Sequence, residues 1–169
     1  MEMLACVDVD YRSDGSARTA AVLFEAWSDA QETKLLLHTT PQVAAYQPGA
    51  FYLRELPCLL PVLGPLANRL EVVVVDGYVT LDAAGQPGLG WHLFEALGRQ
   101  VAVIGVGKTA FRGSPHALPV QRGNSQRPLF VTAAGMSALR AASLIEQMAG
   151  PHRFPSLLKR VDQACRASP

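Results

Sequence analysis

Four consecutive valines, Val72-Val73-Val74-Val75, followed at once by Asp76-Gly77, constrain this 169-residue chain more than any other segment. A strand that is apolar at every position has no wet face, so it belongs inside a sheet covered on both sides. The acid comes where such a strand leaves its cover. A carboxylate there has its backbone held by the sheet while its side chain reaches solvent and a cation.

About half of the residues (49%) are apolar, enough for one sizeable core and too few for two, so residues 1–169 are expected to form a single domain. Apolar stretches are broken by Arg54, Glu55 and several prolines, and none approaches the roughly 20 residues of a membrane span. Residues 1–10 carry early acids and no basic segment, which reads poorly as a signal peptide. A cytosolic monomer without membrane contact is the expectation. Cys6, Cys58 and Cys165 are odd in number and lack CxxC spacing, which favours reduced, buried thiols over disulfides or zinc.

The net charge of +1 hides an asymmetry. Residues 1–98 hold 5 Lys/Arg against 12 Asp/Glu, a net −7, whereas residues 99–169 hold 10 against 2, a net +8. Acids able to hold metal thus lie early. Lys108, Arg112, Arg122, Arg127, Arg153, Lys159 and Arg160 in the later part are candidates to meet phosphates.

Residues 4–8, 19–27 and 34–39 read as three successive strands joined by short polar turns, hence an antiparallel meander. Residues 51–67 read as helical, with Pro57 and Pro61 implying kinks or two short helices. The valine strand follows, then a glycine-rich loop, a helix over 89–97, a second buried strand over 101–106, a short strand over 129–132, and helices over 137–148 and 155–166. Three antiparallel strands followed by alternating helices and parallel strands describe a ribonuclease H-like mixed sheet flanked by helices. In that arrangement the first and fourth strands are neighbours, and so are the acids at their ends.

Asp8, Glu55, Asp76 and Asp162 are the acids whose positions suit two-metal phosphodiester chemistry. Mg²⁺ prefers hard oxygen ligands, commonly a few carboxylates plus a substrate phosphate, and Asp8, Glu55 and Asp76 supply them. Each has an alternative. Asp10 lies on the same strand face as Asp8 and is a rival ligand; Glu55 taken alone also reads as a solvated helix residue; Asp76-Gly77 is also good turn chemistry; Asp162 among Lys159, Arg160 and Arg166 also suits helical ion pairs. Gly105-Val106-Gly107-Lys108-Thr109 is not a phosphate loop, because GxxxxGK[ST] needs glycine where Ala102 stands. Ser114, His116 and Asp82 lack a GxSxG elbow, and His38, His92, His116 and His152 lack metal spacing.

The segments Val7-Asp8-Val9-Asp10-Tyr11, Tyr46-Gln47-Pro48-Gly49, Leu53-Arg54-Glu55-Leu56-Pro57, Val75-Asp76-Gly77 and Ile104-Gly105-Val106-Gly107-Lys108-Thr109 resemble, in order and spacing, the endonuclease V family. Weaker matches run through Gly123-Asn124, Pro128-Leu129-Phe130-Val131 and Arg153-Phe154-Pro155. The resemblance implies a Mg²⁺-dependent endonuclease, with Mn²⁺ as a substitute. It would act in DNA repair on DNA or RNA containing deaminated purine (inosine), cutting the second phosphodiester bond on the 3′ side. It implies metal ligands at Asp8, Glu55 and Asp76, and a lysine near the scissile phosphate at Lys108. It further implies a wedge at Tyr46, Gln47, Pro48 and Gly49, with Gly77 and Gly107 allowing close approach to nucleic acid. Against the family pattern, the His-Pro-Arg stretch after Asp-Gly is replaced by Tyr78-Val79-Thr80-Leu81-Asp82-Ala83-Ala84. A Pro-Gly-His turn is replaced by Ala134-Gly135-Met136, and the late catalytic histidine falls on Asp162. A binding relative without turnover, or another ribonuclease H-like nuclease such as a junction resolvase, are the alternative functions.

Overall fold

The Asp14-Gly15 turn starts the architecture. Asp14 accepts from the Ser16 backbone N–H at 2.9 Å and Gly15 takes φ +89°, so the chain reverses tightly and the next strand pairs antiparallel with the first. The computed structural model describes residues 2–45, 47–48, 50, 52–81, 86–110 and 116–167. Among them are strands β1 (Met3–Tyr11), β2 (Ala17–Phe24), β3 (Lys34–Thr40), β4 (Leu70–Asp76), β5 (Ala102–Gly107), β6 (Leu118–Val120) and β7 (Leu129–Ala134). The helices are α1 (Tyr52–Leu63), α2 (Leu89–Ala96), α3 (Ala138–Gln147) and α4 (Ser156–Arg166). The strands form one mixed sheet in the order β3-β2-β1-β4-β5-β7-β6. β1, β4 and β5 are parallel, the rest antiparallel.

Side-chain alternation sorts the core into two layers. Ala5, Val7, Val73, Val75 and Val103 pack with Cys58, Leu59, Leu63, Leu93 and Phe94 of α1 and α2. Leu4, Cys6, Val72, Val74, Ile104 and Val106 pack with Ile145, Leu157, Leu158 and Val161 of α3 and α4. The valine run is therefore covered on both faces. No described helix is long and apolar enough to cross a membrane.

Three details differ from the sequence reading. β1 continues to Tyr11 instead of ending at Asp8, because its pairing with β2 runs on through Asp8↔Ala20, Asp10↔Arg18 and Tyr11↔Ala17. α1 is one helix through Pro57 and Pro61. Both prolines lie on its exposed side, where carbonyls that lose an intrahelical partner face water. β6 is too short to show in the sequence, and its Pro119 suits an edge strand that needs no full ladder. The three cysteines are buried free thiols, as expected.

Candidate metal centre and its flanking cavities

The parallel pairing of β1 with β4 has its last register partners at Cys6↔Val74. Two residues further along each strand, on the same face, stand Asp8 and Asp76. Asp162 on α4 packs from that side, one of its carboxylate oxygens lying within 4.8 Å of one of Asp8. Glu55 comes from α1, across the sheet, and is 7% exposed with Oε2 lacking a hydrogen-bond partner among the described residues. It is close enough for the charges of Asp8 and Asp76 to act on it. The four acids named from the sequence thus gather at the carboxyl ends of the central strands. Asp10 turns instead to Arg12, 3.5 Å away.

Their protonation records the crowding. Burial first, then the carboxyls of Asp162 and Asp76, push the Asp8 pKa up to about 7, against one opposing hydrogen bond from the Val9 N–H. Glu55 is pushed up to about 8 by burial and then by the charges of Asp8 and Asp76. Asp76 is also raised by desolvation, opposed by Lys108, whose Nζ lies 3.6 Å from Asp76 Oδ2. Both members of that pair are about half exposed (52% for Lys108 and 47% for Asp76).

Two cavities meet there. One, of about 380 Å³, is lined by Asp8, Asp76 and Asp162 together with Lys108, His152 and Lys159. The other, of about 530 Å³, is lined by Tyr52, Gly77, Tyr78, Leu81, Leu89 and Gly107. Asp76 and Lys108 wall both. Gly77 takes φ +135°, and its carbonyl passes so close to Gly105 that a Cβ there would lie 2.5 Å from it. A Cβ on Gly107 would enter the Tyr78 ring, whose hydroxyl donates to the Thr109 carbonyl at 2.6 Å. These glycines bring β4, β5 and the Tyr78 ring together.

Gln47 and Pro48 are exposed, the Gln47 carbonyl closing a turn with the Ala50 N–H. Tyr46 and Gly49, like Asp82, Arg112 and Ser114, lie outside the described residues. The later cations divide by use. Arg122, 6% exposed, donates to the carbonyls of Met148 (2.5 Å), His152 (3.1 Å), Gly150 (3.3 Å) and Arg153 (3.4 Å), so it holds a turn and does not face phosphate. Arg153 donates to the carbonyls of Lys108 and Pro128, and Arg160 pairs with Glu32 at 2.7 Å. Lys108, Lys159 and Arg153 line the acidic cavity, and of these Arg153 is also spent on carbonyls.

Sequence reasoning missed two residues here. His152 lines the acidic cavity, signalled only by adjoining the Arg153-Phe154-Pro155 segment. Cys165 brings its Sγ within 4.8 Å of a carboxylate oxygen from both Asp8 and Asp162. Its i, i+3 spacing from Asp162 on α4 was the available signal.

The strand order and the helices on both faces define a ribonuclease H-like fold. A family model described as Endonuclease V matches residues 1–143. The chain belongs to the endonuclease V family. Endonuclease V of Nostoc punctiforme is 26% identical over 171 residues, spanning 100% of this chain and 76% of that protein. Two other curated relatives are matched over only 56% of their length. The crystal structure of endonuclease V from Streptomyces avermitilis superimposes with TM-score 0.74 at 25% identity, covering 97% of this chain and 79% of that one. That of Ciona intestinalis endonuclease V, in complex with a 24mer DNA containing an inosine followed by a ribo-adenosine, gives TM-score 0.79 at 17% identity, covering 98% and 84%.

Proposed function

We propose that this protein is a Mg²⁺-dependent endonuclease of the endonuclease V type, cleaving a phosphodiester bond 3′ to inosine in nucleic acid. The observation that carries this is the meeting of Asp8, Asp76 and Asp162 with Lys108 at the walls of two adjoining cavities, with the buried Glu55 near enough for the charges of Asp8 and Asp76 to act on it. The donors fit the metal. They are hard carboxylate oxygens, they repel one another, and one buried oxygen of Glu55 lacks a partner among the described residues. Asp8, Glu55 and Asp76 would hold it, and Mn²⁺ would substitute. When bound, Mg²⁺ activates the attacking water and stabilises the leaving 3′ oxygen.

The protein's own groups do the rest. Asp8, raised by burial and by the neighbouring carboxyls, would give up its proton on holding a cation. Lys108, half exposed beside Asp76, would present its ammonium to the phosphate where negative charge develops. Lys159 and His152 line the side from which a backbone approaches. The larger cavity takes an extruded base against Gly77, Tyr78 and Gly107. Extrusion costs a few kcal/mol and least for a mispaired base, so inosine in a mismatch is favoured before any hydrogen bond forms. The Tyr46-Gln47-Pro48-Gly49 segment supplies the wedge. The Ciona complex supports inosine as the recognised base.

The test is cleavage of end-labelled oligonucleotides with and without inosine, in Mg²⁺ and in chelator, beside a branched substrate. Metal-dependent cutting 3′ to inosine is expected. Tight binding without cutting, or preference for the branched substrate, would overturn the assignment.

A further inference from the structure

We infer that Tyr78 is a positioning residue: its hydroxyl holds the segment that presents Lys108, and so ties the wall of the larger cavity to the lysine beside the acids. Its part in cleavage rests on the nuclease function proposed above. Tyr78 stands in the stretch where this chain departs from the family pattern, so the resemblance assigns it no role.

The need for a hold comes from where the sheet stops. The last ladder partners of β5 are Val106, opposite Asp76, and Gly107, opposite Phe130. Lys108 and Thr109 lie beyond them, so neither ladder fixes their peptides. A lysine carries its charge on a flexible four-carbon stem, and the placement of its ammonium depends on how firmly the backbone beneath it is held. Two side chains from separate parts of the sequence supply that hold. The Tyr78 hydroxyl donates to the Thr109 carbonyl at 2.6 Å, and Arg153 donates to the Lys108 carbonyl. Successive carbonyls are thus pinned while the lysine side chain stays half exposed, its Nζ 3.6 Å from Asp76 Oδ2 and 5.1 Å from the centroid of the Phe154 ring.

Tyr78 is itself anchored. The Val79 N–H donates to the buried Thr132 Oγ1 at 2.9 Å, the Gly77 N–H to the Val106 carbonyl at 3.0 Å, and the Gly90 N–H to the Tyr78 carbonyl at 3.3 Å. Tyr78 is 8% exposed, and its ring lies where any side chain at position 107 would go. A rigid ring on a held backbone leaves the hydroxyl little freedom, which makes one hydrogen bond an effective strap. The ring walls the cavity assigned to the extruded base and the hydroxyl holds the lysine segment, so removing the hydroxyl alone separates the two roles.

The experiment is a double-mutant cycle on Tyr78→Phe and Lys108→Ala, read by single-turnover cleavage of an inosine oligonucleotide in Mg²⁺. In the otherwise wild-type chain Tyr78→Phe should slow cleavage about tenfold, with oligonucleotide Kd and the preference for inosine over adenine within about twofold, because the ring is kept. In the Lys108→Ala chain the same change should alter the rate by less than about twofold. Equal slowing in both backgrounds, an unchanged rate, or a loss confined to Kd or to inosine preference overturns the positioning role. Thermal melts should show Tyr78→Phe folded, its midpoint lowered by no more than about 4 °C. A variant that does not fold makes the hydroxyl part of the fold's stability and also overturns the role. Backbone order parameters need no cutting: at Lys108 and Thr109 they should fall from about 0.85 toward about 0.6 in Tyr78→Phe, and no change overturns the strap. A wild type that never cuts, with order parameters that do fall, loses the nuclease function and keeps the strap.

Discussion

Two buried charged centres in this molecule are solved in opposite ways. Arg122, 6% exposed, gives its guanidinium protons to four backbone carbonyls of residues 148–153. Glu55, 7% exposed, keeps an oxygen with no partner among the described residues and sits within reach of other carboxylates. Burial is nearly the same, so burial alone does not separate a structural charge from a functional one. Satisfaction separates these two: the hydrogen bonds of Arg122 are made and hold a turn, whereas the oxygen of Glu55 is left for a ligand.

That contrast breaks most sharply at Asp76. Asp76→Ala should lower Mg²⁺-dependent cutting by roughly 10³-fold or more, since it removes a ligand from the charge-stabilising centre. Its unfolding midpoint in chelator should not fall, because the side chain is half exposed and its one ion pair is with a half-exposed lysine. Cleavage assays paired with urea melts decide, and loss of stability equal to loss of activity would erase the distinction. Arg122→Met should do the reverse, costing about 3 kcal/mol of stability through carbonyls left unpaired. Mn²⁺ affinity of the folded fraction should be unchanged.

A smaller effect sharpens the comparison through pH. Glu55 has a folded pKa of about 8 and Asp8 about 7, both above the ordinary carboxylate values of 4.5 and 3.8 they have when unfolded. Below the ordinary values both states are protonated and nothing is lost. As pH rises through the folded values the native state must ionise crowded carboxyls, so metal-free stability falls between about pH 4 and pH 8. Glu55→Gln should flatten the upper part of that fall in pH-dependent chelator melts. A metal-free protein whose stability rises over this window would contradict the crowding.

The sequence made one of these centres legible and left the other hidden. Strand alternation alone puts Asp8 and Asp76 two steps beyond the paired Cys6 and Val74, so their meeting was readable once the strands were recognised. Glu55 and Lys108 were candidates from charge and position, but their particular roles came from the resemblance, since a single acid on a helix and a single lysine after a strand have no periodicity to betray them. Arg122 was indistinguishable from Lys108 in a cation-rich half, because what separates them is a turn at residues 148–153 that folds over one and not the other. The same limit applies to Pro57 and Pro61. Their harmlessness depends on facing water, which is set by what α1 packs against.

The most direct measurement is thermal unfolding of the metal-free chain at neutral pH as Mn²⁺ is added, beside the triple variant Asp8→Asn, Glu55→Gln, Asp76→Asn. Native-state binding should raise the wild-type melting temperature, with a gain of about 2.7 kcal/mol at a hundredfold excess over Kd. The triple variant should melt higher than the wild type in chelator and ignore Mn²⁺. A wild-type melting temperature unmoved by Mn²⁺, with the triple variant no more stable than the wild type, would mean that these carboxylates do not await a cation.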